Sequence, residues 1–188
     1  VDMIVLLPER VEGRTIAEKV SKVLNEALSH IKIEDFDYIL RVDCETVIPP
    51  NFIEENLKGK PDLCGQSGHA MLIKVEAFKK AMNLRLHPQS DDGYLTKKFM
   101  MLGLNVQKWK VKPIHKKRLH SPIEMFRRGI LRYKYGYEPF HILFDWRHNI
   151  RNIFAIFGYF YALLKREKKF DVADYTWHKQ VRRLLQLF

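Results

Sequence analysis

The sequence predicts an α/β fold: a mainly parallel sheet flanked by helices, with a helical C-terminal tail. Three observations predict it. Short apolar runs alternate with stretches whose apolar residues recur at helical spacing; Pro and Gly punctuate those stretches; and everything after Ser121 reads as helix. The 188 residues suit one sizeable core with a small appendage. The expected division is residues 1–120 as the core and 121–188 as the extension.

Met3–Leu7 is a short apolar run ending at Pro8, the pattern of a buried strand. From Thr15, the residues Ile16, Val20, Val23, Leu24, Ala27, Leu28 and Ile31 fall on one helical face. Tyr38–Val42 reads as a second strand, ending in Asp43-Cys44-Glu45. Pro49-Pro50 then opens a short helix through Phe52, Ile53 and Leu57. Gly65 and Gly68 flank a loop feeding the strand Ala70–Val75. A helix starts near Asp92, carries Leu95, Phe99 and Leu102, and stops at Gly103, a suitable residue to end it. Asn105–Trp109 is the last strand. Ser121-Pro122-Ile123-Glu124 combines a capping box with Pro at the first helical position, so a helix begins there.

Hydrophobic residues at 46% and aromatics at 12% exclude a disordered or fibrous chain. No run approaches the roughly 20 apolar residues of a membrane span. Met3–Leu7 is too short for a signal peptide and lacks a basic segment before it. Cys44 and Cys64 are too few to staple a chain this long, which predicts a reduced, cytoplasmic protein. The formal charge of +11 is unevenly spread: residues 1–107 hold 14 Lys+Arg and 16 Asp+Glu, residues 108–188 hold 19 and 6. The C-terminal part is therefore suited to phosphates, anionic lipid or nucleic acid.

Asp43 and Glu45 lie two apart, so on a strand both point to one face. Carboxylates at a strand's carboxyl end suit Mg²⁺ or Mn²⁺, which one or two carboxylates hold together with substrate phosphates. A solvated turn explains most isolated D-x-E triplets. Asp91-Asp92 heads a helix, where the macrodipole favours acids, yet a carboxylate there also suffices as a general base for a hydroxyl. His115 and His120 follow the last strand among Lys116, Lys117 and Arg118; they read as surface residues or, kept neutral by those cations, as metal ligands.

Taken in order, these segments resemble the nucleotide-sugar glycosyltransferases of the GT-A fold, family 2 in particular. Leu6-Leu7-Pro8-Glu9-Arg10-Val11-Glu12 is similar to that family's opening strand I-P-x-R-N-E, with Val11 in place of Asn. Asp37–Thr46 is similar to D-Y-I-x-x-x-D-x-D-T, with Glu45 for the second Asp. Ser67–Phe78 resembles the strand and helix lining the acceptor site, and Asp91-Asp92-Gly93-Tyr94-Leu95 resembles E-D-x-x-L. His115 or His120, with Arg127-Arg128 and Tyr135-Gly136, looks like the closing H…RR…YG stretch.

The resemblance covers about residues 3–136 and implies a Rossmann-like GT-A sheet. It further implies a nucleotide-diphosphate sugar donor bound by Pro8, Glu9, Arg10, Glu12 and Asp43, and Mn²⁺ or Mg²⁺ at Asp43 and Glu45 with His120 or His115. Asp92 stands at the catalytic base, and Gly68, His69 and Asp91 lie on the acceptor side. The implied acceptor is a glycan, a protein or a lipid-linked hydroxyl, and the implied reaction is inverting. In this sequence 42 residues precede Asp43, fewer than the family has there, so the resemblance carries no expectation for the strand whose Asp contacts the nucleobase. The pattern looks like a stripped-down version such as an archaeal virus encodes.

Two other readings use the same residues. One is a metal-dependent nuclease or nucleotidyltransferase with the basic tail on nucleic acid. The other is a basic module that binds nucleic acid or a membrane surface, with Trp109, Tyr133, Tyr135 and Trp146 to stack on bases and a degenerate site. Of these partners, the resemblance favours the sugar donor over nucleic acid. Within the tail, Ile153–Leu164 is a 12-residue apolar and aromatic run bracketed by Arg147, Arg151, Lys165, Arg166, Lys168 and Lys169. It reads either as a helix lying at a membrane surface or as core packed across the sheet.

Overall fold

A computed structural model describes residues 12–13, 16–65, 69–88, 91–115, 120–145 and 152–186. The chain forms two compact units, residues 1–116 and 117–188. The expected strand Met3–Leu7 lies outside the described residues.

The first unit is α/β. Helix α1 (Ile16–Ser29) is followed by the strands β1 (Tyr38–Val42) and β2 (Thr46–Val47) and helix α2 (Phe52–Leu57). Then come β3 (Leu63–Cys64), β4 (Ala70–Lys74), α3 (Val75–Met82), α4 (Asp91–Met101), β5 (Val106–Gln107) and β6 (Ile114–His115). The main sheet has the order β1-β4-β3-β5, and β2 pairs with β6 in a separate two-stranded ladder.

The sheet is mixed, not mainly parallel as the sequence predicted. β4 runs antiparallel to both β1 and β3; only β3 and β5 are parallel. Loop length explains this. Only residues 65–69 separate β3 from β4, whereas a parallel pair needs a crossover of about a dozen residues or more. Between β3 and β5 the chain has that length, and β4, α3 and α4 lie within it.

Alternate residues of β4 enter two different cores. Met71 and Ile73 pack with Leu63, Phe78, Leu95 and Phe99, against Leu24, Leu28 and Ile39. Ala70 and Leu72 pack with Phe52 and Cys64, against Leu40, Trp109 and Val111. The sheet is thus covered on both faces, which is why β4 reads as an unbroken apolar run. The end of α4 is as expected: Gly103 takes a left-handed φ of 70° and Leu104 N–H donates to the Phe99 carbonyl at 3.0 Å.

Two side-chain amides, one half-buried and one buried, fasten segments that are far apart in sequence. Asn25 donates to the Leu86 carbonyl (3.0 Å) and accepts from the Leu86 N–H (2.7 Å). Asn56, fully buried on α2, accepts from the Lys110 N–H at 2.7 Å and donates to the carbonyls of Val111 and Phe52. It fixes the segment that leads into β6.

The second unit is helical: α5 (Pro122–Lys134), α6 (Pro139–Asp145), α7 (Ile153–Leu164) and α8 (Ala173–Leu185). The capping box forms as the sequence predicts, with Ser121 Oγ accepting from the Glu124 N–H and Glu124 Oε2 accepting from the Ser121 N–H. Tyr133, Ile142, Tyr159 and Ala162 make its core. Tyr159 donates to the Tyr137 carbonyl at 2.8 Å, and burial, with Tyr133 and Glu138 nearby, pushes its hydroxyl pKa up to about 12. No described helix is long and apolar enough to cross a membrane.

The α5–α7 contact is made by small residues. A Cβ on Gly129 would overlap the Ala155 carbonyl, and one on Gly158 would overlap the Phe126 carbonyl. Only glycine lets the backbones approach this closely. The Ile153–Leu164 run therefore does not act as core along its whole length: Ala155, Gly158, Tyr159 and Ala162 are buried, while Phe154, Phe157 and Phe160 are exposed.

Gly158→Ala should lower stability by about 1–3 kcal/mol, because the added methyl meets backbone. Chemical denaturation should show the midpoint shifted with the slope unchanged. Asn56→Ala should cost about 1–3 kcal/mol by the same measurement, since it removes the partner of the Lys110 N–H and the Val111 carbonyl.

Candidate functional site

Asp43, Glu45, His69, Asp92 and His115 gather around the carboxyl end of β1. Asp43 directly follows that strand, and its N–H donates to the His69 carbonyl at 3.0 Å, extending the β1–β4 ladder by one bond. The chain then turns sharply, with the Thr46 N–H donating to the Asp43 carbonyl at 2.9 Å, and enters β2. There Thr46 stands opposite His115 of β6. The turn and the two ladders thus bring Asp43, His69 and His115 together from three parts of the chain.

Both oxygens of Asp43 face nitrogen. Oδ1 lies 3.5 Å from an Arg41 guanidinium nitrogen and Oδ2 lies 3.8 Å from His69 Nδ1. The His69 and His115 rings meet edge to face with centroids 3.4 Å apart. His69 Nδ1 and Thr46 Oγ1 are enclosed with no hydrogen-bond partner among the described residues. Two such atoms beside one histidine pair are unusual in a finished interior.

The pKa of His69 is held below the ordinary histidine value, first by burial and then by the neighbouring His115; Asp43, Asp92 and Glu45 push the other way. Three carboxylates from the end of β1, the following turn and the start of α4 thus act on one imidazole. Asp92 is half-buried in the first turn of α4, and its Oδ1 accepts from the Gly93 N–H at 2.6 Å. Glu45 is exposed on the turn.

The other expected site residues are placed differently. Asp91 begins α4, but its side chain lies outside the described residues, as do Pro8, Glu9, Arg10 and Gly68. Glu12 is exposed, and its carbonyl accepts from Lys22 Nζ at 2.9 Å. His120 belongs to the second unit, where Nδ1 lies 3.8 Å from Glu124 Oε2. Cys44 is exposed and Cys64 is buried in the sheet, where burial raises its thiol pKa.

Arg41 and Thr46 were missed by the sequence reading. Arg41 had a signal: it precedes Asp43 by two residues on the same strand face. Thr46 closes the D-x-D-T resemblance, but its place opposite His115 and the meeting of His69 with His115 had no signal, because both depend on ladders that join distant segments.

Comparisons with protein families, with characterised proteins and with solved structures find no match to this chain. Among the described residues, no three His, Cys, Asp or Glu side chains form a ready-made metal-holding group. Asp43 and Glu45 offer carboxylate oxygens, the donor type that a hard cation takes together with ligand oxygens.

Proposed function

We propose that the chain is a glycosyltransferase of Rossmann-like GT-A type, moving a sugar from a nucleotide-diphosphate donor to an acceptor hydroxyl with inversion. One observation carries the reading: Asp43 and Glu45, from the turn after β1, and Asp92, from the start of α4, all act on His69, whose ring meets that of His115. Ligands of open α/β sheets characteristically bind at the carboxyl ends of strands. Sugar transfer needs just such a convergence of acidic groups, one part to manage the diphosphate and another to take a proton.

In this reading Asp43 and Glu45 would hold Mn²⁺ or Mg²⁺, which supplies positive charge against the diphosphate. Of the two candidate histidines, His115 is the one whose ring meets His69, the neighbour of Asp43. By the resemblance, Pro8, Glu9, Arg10 and Glu12 would serve the donor, and Gly68, His69 and Asp91 the acceptor side; of these, only the side chains of Glu12 and His69 are among those described. Asp92 is the general base: its carboxylate takes the acceptor hydroxyl's proton as the new C–O bond forms at the anomeric carbon. The bond from that carbon to the diphosphate oxygen breaks on the opposite side. The acceptor class is a glycan, protein or lipid-linked hydroxyl, and the reading sets the reaction in the cytoplasm.

The deciding experiment follows nucleoside diphosphate release across a panel of nucleotide sugars with Mn²⁺ or Mg²⁺. Release above background with at least one donor is expected; none with any donor overturns the reading. Asp92→Asn should keep donor affinity and lower turnover by about 10²–10⁴-fold, with inverted anomeric configuration in the wild-type product. Asp43→Ala should abolish metal-dependent donor binding measured by calorimetry. Unchanged donor binding in that variant would remove Asp43 from the metal site.

A further inference from the structure

The 12 residues of α7 are sorted by size. Ala155, Gly158, Tyr159 and Ala162 turn inward, and the small ones make the close contact with α5. Ile153, Phe157, Phe160, Tyr161 and Leu164 recur at helical spacing on the opposite side and are all exposed. Phe157 is 59% exposed and Leu164 83%. A helix meeting only water would carry polar side chains there, and contiguous exposed apolar surface marks an interaction site.

We propose that this face of α7, with the basic segment that follows it, docks on an anionic lipid surface. The charge beside the face selects that occupant. Lys165, Arg166, Lys168 and Lys169 follow the helix directly and are all exposed. The single acid among them, Glu167, is drawn to Lys134 at 3.1 Å. A second copy of the chain would set these cations against their like, whereas an anionic bilayer satisfies the apolar stripe and the cations together. At 1.5 Å per residue the helix is about 18 Å long, too short to cross the hydrocarbon core, so it lies along the headgroup boundary. Phenylalanine, tyrosine and leucine beside lysine and arginine are the residues that suit that boundary. The inference stands independently of the proposed activity.

Flotation of the full chain tests it, with vesicles of phosphatidylcholine alone and of phosphatidylcholine with about 30% phosphatidylserine at low salt. Binding is expected to the anionic vesicles and to fall roughly tenfold or more on the neutral ones. Phe157→Ser/Leu164→Ser changes only exposed side chains; it should keep the far-ultraviolet circular dichroism of the wild type and lose roughly tenfold or more of the binding. Lys165→Glu/Lys168→Glu, outside the helix, should weaken anionic binding while leaving the weak neutral binding as it was. The proposal is overturned if the wild type does not float with anionic vesicles. It is also overturned if Phe157→Ser/Leu164→Ser floats as well as wild type. Concentration-dependent self-association in place of flotation, abolished by that same variant, would assign the face to a second copy instead.

Discussion

The antiparallel register of β1 on β4 is the constraint on which the first unit depends. Val42 stands opposite Ala70, and one residue further the Asp43 N–H reaches the His69 carbonyl. A slip of one residue would exchange the two faces of each strand. Met71 and Ile73 would trade places with Ala70 and Leu72, and both cores would lose their fit. The same packing that fixes the register therefore fixes which histidine meets Asp43. Site geometry is here a by-product of burying the strand on both sides.

The second unit depends on a different constraint, the close approach of two helices. Gly129 and Gly158 bring the α5 and α7 backbones together, leaving no room for large side chains between them. Tyr133 and Tyr159 fill the space beside that contact, with rings 5.6 Å apart at a T-shaped angle. The large apolar residues of α7 must then go elsewhere, and they go outward. Close helix packing through small residues and an exposed aromatic stripe are two consequences of one sequence pattern.

What could be read in advance was local. The strand Tyr38–Val42, the Ser121 capping box and the glycine stop at Gly103 each rest on residues a few positions apart, and all three form. The sheet's mixed direction was not legible, because β3 is only two residues long and its pairing shows solely in the short connection to β4. Residues 43 and 45 announced themselves by spacing, whereas His69 and His115 lie 46 positions apart and meet only through the fold. The facing of α7 was hidden for another reason. Its residues are apolar all round, so hydropathy alone cannot say which side is inside; the spacing of Ala155, Gly158 and Ala162 does.

The contacts of Asp43 bear on whether it can serve a ligand at all. A carboxylate locked by short hydrogen bonds would be structural and costly to redirect. Asp43 is instead flanked at 3.5 and 3.8 Å, and its side chain is 36% exposed. The partly solvated contact to His69 contributes only about 0–1 kcal/mol, whereas the Arg41 side chain, 12% exposed, holds the carboxylate more firmly. His69, kept toward its neutral form by burial and by His115, adds less attraction still. A divalent cation would bring twice the charge of Arg41 and would displace the weaker contact, to His69, first. The two contacts hold the carboxylate in place at the end of β1 without consuming it, which is the condition a ligand-binding acid has to meet.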